Sequence, residues 1–332
     1  MNRREFALQL SAAVGLVGAA PRSASAEPPP ETTRIRLSQT PVLCVAPQYV
    51  ASELLRTEGF SEVQYVKRKG DFQKWQRQVL ASGEIDIMTG YVTTYATHID
   101  AGDPIVLLAG VHVGCYELVG TERVRAIRDL RGRKVAVPEP NSAHQLFVSM
   151  MAAHVGLDPR REIEWVVRPP AEAQALLADG KVDALMAFPP EAQELRARKV
   201  GHVVVASALD RPWSQYFCCM VAGNKQFVRK NPVATKRAIR AILKATDRCA
   251  AEPERSARFL VDRGFAKSYE TSLQMIKDLP YNRWREFDPT DAVRFYSLRL
   301  HEAGMIKSDP NKIVTQGTDW RFFNELRREL KA

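Results

Sequence analysis

Short apolar runs alternate along the chain with stretches whose apolar residues recur every three or four positions. That is the pattern of buried strands and one-face-buried helices. Strands are expected within 35–45 and at 63–66, 85–88, 105–109, 115–119, 134–137, 163–167, 182–187, 202–207 and 217–221. A helix is expected to begin in 49–56. Others are expected at 71–80, with Phe72, Trp75 and Val79 on one face, at 142–155, closed by Gly156, and at 170–178, with Pro170 in the first turn where its missing N–H costs nothing. After Asn224 the pattern is helical to the end, at 232–251, 253–262, 268–277, 291–303 and 320–330. Strands alternating with helices at this spacing predict a parallel, doubly wound sheet.

One unit occurs twice. Leu80-Ala81-Ser82-Gly83-Glu84-Ile85-Asp86-Ile87-Met88 is echoed 97 residues later by Leu177-Ala178-Asp179-Gly180-Lys181-Val182-Asp183-Ala184-Leu185. Each copy reads as a helix closed by a left-handed glycine, followed by a short buried strand. A strand and a helix precede both copies. The fold class is therefore α/β, with two similar doubly wound lobes and a ligand cleft between them. The chain is expected to cross between lobes near 120–124 and again near 207–213. Lobe one then comprises 33–122 plus 211–332, and lobe two comprises 123–210.

Ligands of doubly wound sheets sit beyond the carboxyl ends of the strands. The loops expected there carry Gln48 and Tyr49, then Thr89, Gly90 and Tyr91, then His112 in lobe one. In lobe two they carry Asn141, Ser142 and Ala143, then Phe188, Pro189 and Glu191. Ser142 suits a helix N-cap, whose free N–H groups hold a carboxylate, sulfonate or phosphate, although such a cap serves equally as plain structure. Gly90 lets backbone approach a ligand or simply makes a turn. Tyr49 and Tyr91 offer stacking faces, and ordinary packing would use them as well. Glu191 can accept from an amine or favour the start of a helix. Trp213 and Tyr216 fall at the second crossing, as hinge or wall.

Composition narrows the function. The 332 residues are 45% hydrophobic and 26% charged, with 48 Lys and Arg against 38 Asp and Glu, a net +10. The basic residues are scattered, so a nucleic-acid partner is not expected. No apolar run reaches the ~18–20 residues of a membrane helix, so stable membrane insertion is not expected either. The first residues, Asn2-Arg3-Arg4-Glu5-Phe6, precede an apolar stretch and the small-residue site Ala24-Ser25-Ala26, the layout of an export signal of twin-arginine type. Cleavage after Ala26 would remove three Arg and one Glu, leaving +8 and a proline-rich tether at 27–32. The five cysteines are too few for a disulfide scaffold, and the adjacent Cys218 and Cys219 read as two buried thiols. The six histidines show no ligand spacing, and no nucleophile elbow, zinc helix, dinucleotide loop or phosphate loop is present. No cofactor, metal or catalytic residue is expected.

The export signal, the repeated L-A-x-G-x-[IV]-D unit, the segment Asp129-Leu130-Arg131-Gly132-Arg133-Lys134-Val135-Ala136-Val137 and the helical tail together resemble the periplasmic substrate-binding proteins of ABC importers. The nearest branch is the nitrate, sulfonate, taurine and thiamine-precursor (NMT1-like) group, and the resemblance covers residues 33–310. The stretch Tyr216-Phe217-Cys218-Cys219-Met220-Val221 is similar to a thiamine-pyrimidine subgroup. Related pyrimidine synthases carry a longer cysteine cluster, so their iron chemistry is not implied here.

The resemblance implies a monomeric periplasmic protein that closes on a small anionic organic ligand and docks on a permease with its ATPase. Ser142 would take the anionic end, and Tyr49, Gly90, Tyr91 and Phe188 would contact the body. No bond would be made or broken. Two alternatives stand beside it: an enzyme on the same fold, pyrimidine-synthase-like or porphobilinogen-deaminase-like, and a sensory domain docking on a kinase.

Overall fold

The computed structural model describes residues 27–40, 42–67 and 72–331. The expected export signal and cleavage site, the start of the helix expected at Asp71 and the side chain of Phe72 lie outside the described residues.

Two five-stranded sheets form the core. In the first, β1 (Arg34–Gln39) runs parallel to β2 (Glu62–Lys67) and β3 (Ile87–Tyr91), while β10 (Phe217–Asn224) lies antiparallel between β3 and β4 (Ile105–Val113). In the second, β6 (Arg133–Val137) runs parallel to β7 (Ile163–Val167) and β8 (Ala184–Ala187), and β5 (Glu117–Gly120) lies antiparallel between β8 and β9 (His202–Ala206). The sheets share one plan but are mixed, where purely parallel pairing was expected. The antiparallel strand of each is the one that arrives directly from the other. The outgoing crossing therefore falls at 114–116, before β5. The strand at 117–120, assigned by sequence to lobe one, belongs to the second sheet. The chain returns to the first sheet between β9 and β10.

The repeat is a strand staple. Gly83 and Gly180 take φ of +76° and +66°, the left-handed turn that closes α2 (Phe72–Ala81) and α5 (Pro170–Ala178). Asp86 then accepts from Arg36 N–H at 2.8 Å and donates its own N–H to Arg36 O at 2.9 Å. Asp183 does the same with Lys134, at 2.9 and 2.8 Å. The carbonyls of Asp86 and Asp183 accept Asn224 N–H and Thr121 N–H respectively, so each aspartate joins its own chain to two neighbouring strands.

The remaining helices are α1 (Ala46–Thr57), α3 (Val92–Asp100), α4 (Ala143–His154), α6 (Glu191–Ala197), α7 (Lys225–Lys230), α8 (Pro232–Ala251), α9 (Pro253–Asp262), α10 (Tyr269–Asp278), α11 (Pro289–Glu302), α12 (Pro310–Gly317) and α13 (Arg321–Glu329). No sequence signal predicted α3. Its opening Val92-Thr93-Thr94 is β-branched and extends the apolar run of β3 without a break, so local preference reads as strand. Burial decides otherwise: Val92, Thr93, Thr94 and Tyr95 are all buried in the helix.

Candidate functional site

A cavity of about 520 Å³ opens between the two sheets. Val42, Leu43, Tyr91 and the segment Phe265, Ala266, Lys267, Ser268 and Thr271 line it from the side of the first sheet. Pro138, Glu139, Ser142, Ala143 and His144 at the start of α4, Pro170 at the start of α5, and Phe188, Pro189, Pro190, Glu191 and Glu194 line the other.

Two serine-capped helices begin at this cavity. Ser142 caps α4, its Oγ accepting Gln145 N–H at 3.3 Å, and Ser268 caps α10, its Oγ accepting Thr271 N–H at 3.2 Å. Their N-terminal dipoles give one region of the cavity a positive potential. Exposed Lys267 adds a full charge there and makes no ion pair among the described residues. The opposite character comes from Glu139, Glu191 and Glu194, with Glu191 Oε2 lying 3.8 Å from His144 Nε2. The body of the cavity is aromatic. Tyr91 and Phe188 lie tilted with centroids 4.5 Å apart, and His144 meets Phe188 edge-on at 4.7 Å.

Of the residues singled out by sequence, Tyr91, Ser142, Ala143, Phe188, Pro189 and Glu191 come together here. Six do not line the cavity. Gln48 and Tyr49 lie in α1 rather than a loop. Gln48 is a clamp, its Nε2 donating to Ser38 O at 2.7 Å and its Oε1 accepting Thr89 N–H at 2.6 Å. Tyr49 is buried, exchanges hydrogen bonds with the Thr40 backbone, and stacks at 4.3 Å on Phe265, which does line the cavity. Thr89 and Gly90 are strand residues of β3. A Cβ at Gly90 would stand 2.8 Å from Tyr95 Oη, so the close approach that glycine allows is to Tyr95 and not to a ligand. His112 is buried within β4. Asn141 is exposed, with φ of +60° and its N–H on Gln145 Oε1 at 2.6 Å. Thr89, Gly90 and His112 miss the cavity for one physical reason: β3 and β4 run on beyond the apolar residues used to end them.

The segment 265–271 was missed. It belongs to the helical tail, where no ligand-contacting residue was expected. The one available signal was Ser268 ahead of an amphipathic run, an N-cap that could have been weighed like Ser142. At the return crossing, Trp213 is buried against His154 and Phe295, and Tyr216 stacks on Phe295 at 4.0 Å.

Behind Tyr91 lies a thiol cluster. Cys115 and Cys218 form a disulfide, which corrects the expectation of two thiols at 218 and 219, and Cys219 remains free. Cys44 Sγ lies 3.7 Å from Cys219 Sγ and 3.7 Å from Tyr91 Oη. Burial would push the Cys44 thiol up. Hydrogen bonds from Cys219 and His112, the charge of His112 and a hydrogen bond from Tyr91 outweigh it and bring the group down to about 6, while burial and the neighbouring Cys44 raise Cys219.

Two sheets of one plan, two crossings and a cavity between them make this a protein of the periplasmic-binding-protein fold. The nitrate-binding protein NrtA of Synechocystis PCC 6803 superposes with a TM-score of 0.75 at 17% identity, over 92% of this chain and 90% of that one. The alkanesulfonate-binding protein SsuA of Xanthomonas axonopodis, bound to MOPS, gives 0.64 at 15% identity, over 87% and 99%. The chain belongs to the NMT1-like family, whose match spans residues 28–260. A Brucella abortus (strain 2308) protein, provisionally named a binding protein, is 26% identical over 225 residues, covering 63% of this chain and 69% of the relative. No described helix is long and apolar enough to cross a membrane.

Proposed function

We propose that the chain is the periplasmic capture protein of an ABC importer, and that it binds a small, flat organic anion which also carries an amino or N–H donor group. The observation that carries this reading is the composition of the cavity. Two serine-capped helix N-termini and Lys267 suit an anionic end, Tyr91, Phe188 and Phe265 suit a planar apolar body, and Glu139, Glu191 and Glu194 suit a donor. A sulfonate, a carboxylate and a thiamine-type pyrimidine all meet part of this description. Nitrate meets only the first part, and it would leave most of a 520 Å³ aromatic cavity without contact.

On this reading the chain is exported, loses residues 1–26, and works as a monomer of two lobes meeting at the crossings 114–116 and 207–216. Walls from both sheets let a ligand favour the closed form, because only there does it touch both. The closed form docks on the permease, and the ligand leaves unchanged.

The test is a thermal-shift and native-mass panel of aminoalkyl- and arylsulfonates, aromatic carboxylates, aminopyrimidine phosphates and nitrate. An organic anion at a hundred times its Kd adds about 2.7 kcal/mol to stability, and S142A and K267A each weaken it by about tenfold. Stabilisation by nitrate alone, or turnover of any compound in the panel, would overturn the reading.

A further inference from the structure

Four of the five cysteines meet at one buried point. Cys219 Sγ stands 3.7 Å from Cys44 Sγ, 3.9 Å from Cys115 Sγ and 3.8 Å from Cys218 Sγ. The disulfide occupies Cys115 and Cys218, which leaves Cys44 and Cys219 as thiols with no exposure to solvent. His112 completes the group: one ring nitrogen and the two Sγ atoms all lie within 4.8 Å of one another.

Two distances speak for a shared ion. Thiolates each about 2.3 Å from one tetrahedral ion stand about 3.7–3.8 Å apart, and Cys44 and Cys219 are already at that spacing. The neutral imidazole can offer one bare nitrogen to a cation. His112 Nδ1 faces Gly114 O at 2.9 Å and Nε2 faces Cys44 O at 3.0 Å, so both nitrogens meet acceptors. A neutral ring has one N–H, and its other nitrogen turns a lone pair toward an oxygen. With the proton on Nδ1, held by Gly114 O in the manner of metal-binding histidines, Nε2 is the bare nitrogen. The Cys44 carbonyl loses nothing if Nε2 engages a cation, because Tyr281 Oη already donates to it at 2.8 Å.

We propose that Cys44, Cys219 and His112 form a binding site for one thiophilic d10 cation, Zn²⁺ or Cu⁺. Both thiols give up their protons to solvent on binding, and the imidazole enters neutral. Two sulfurs and one nitrogen suit these ions and not Mg²⁺ or Ca²⁺. The site lies one side chain behind the ligand cavity, since Tyr91 both lines that cavity and places its hydroxyl 3.7 Å from Cys44 Sγ. The residues are 68 and 175 positions from Cys44, so no sequence spacing announced them.

The full chain, isolated without reductant and freed of metal, is titrated anaerobically with Co²⁺, then with Zn²⁺ as competitor. The expected result is one equivalent of Co²⁺ with sulfur-to-cobalt charge-transfer absorption, displaced by one Zn²⁺. C219S halves that absorption, and C219S and H112Q each weaken binding by about 10–100-fold. C249S, which alters a buried cysteine outside the cluster, leaves it unchanged. The cobalt spectrum of the unmutated chain keeps the test valid if a variant fails to fold. A folded wild-type chain that takes up no Co²⁺ or Zn²⁺, or binding that survives C219S intact, overturns the proposal. So does a Cys44–Cys219 disulfide in the peptide map that yields no metal binding once reduced. None of these outcomes depends on which ligand fills the cavity.

Discussion

Asp86 and Asp183 show how much one side chain can organise. Each takes a neighbouring strand's N–H on its carboxylate and returns its own N–H to the same residue, and each pairs with an arginine: Arg36 for Asp86, Arg123 for Asp183. The two pairs differ in burial. The Asp86 and Arg36 side chains are 4% and 27% exposed, against 10% and 46% for Asp183 and Arg123. Removing a carboxylate strands a backbone donor and a guanidinium, and water replaces the bonds more readily in the second pair. D86A is therefore expected to cost about 3 kcal/mol and D183A about 1–2 kcal/mol, read as midpoint shifts in urea unfolding. Both aspartates were legible in the sequence because the staple needs one residue type at one distance from a left-handed glycine.

At the scale of elements, the glycines that close α2 and α5 have a conformational role. Gly180 has φ of +66°, and a Cβ there would meet only the Arg123 guanidinium, at 3.9 Å, so G180A meets backbone strain without a clash. The expected loss is about 1 kcal/mol, seen as a lower thermal midpoint with the fold intact. A second element-level feature is the docking of the N-terminal segment on α8. The Arg240 guanidinium hydrogen-bonds the Glu27 carboxylate, which holds it against burial at about 2 from an ordinary 4.5, with Lys236 adding to the pull. A depressed carboxyl contributes its stability above its unfolded pKa and loses it as pH falls through the folded one. E27Q is thus expected to flatten the decline in stability between pH 4.5 and 2, measured by denaturant melts at stepped pH. Helix α3 was illegible at this scale, because its β-branched opening carries no helical signal and burial selects the helix.

Across the whole molecule, the disulfide and one ion pair join what the crossings separate. Cys115 sits in the outgoing crossing and Cys218 opens β10 after the return, 103 residues on, so the bridge closes a loop around the second sheet. Loop entropy of that length predicts a contribution of about 4.7 kcal/mol, and C115S/C218S should lower the denaturation midpoint by an amount within the usual 2–5 kcal/mol for loss of a native disulfide. Between the sheets, Asp278 of α10 accepts from Arg196 and, at 3.0 Å, from Gln193 Nε2, both on α6. D278A leaves Arg196 on Glu117 but removes this bridge. On the proposed reading of closure around an organic anion, the expected result is a Kd raised about three- to tenfold in calorimetry, with the ligand-free melting temperature nearly unchanged.

The sequence by itself determined the α/β alternation, the repeat with its glycine and aspartate, the two-lobed plan and the cap at Ser142. These depend on local period, turn stereochemistry and spacing, which are written in neighbouring residues. Only the tertiary structure decided that β5 and β10 lie antiparallel, that β3 and β4 run on through Tyr91 and His112, and that 265–271 returns to the cavity. It alone brought Cys44, His112 and Cys219 together from distant parts of the chain. Those outcomes turn on which buried surfaces meet after the chain has crossed twice between sheets, and no short-range pattern carries that information.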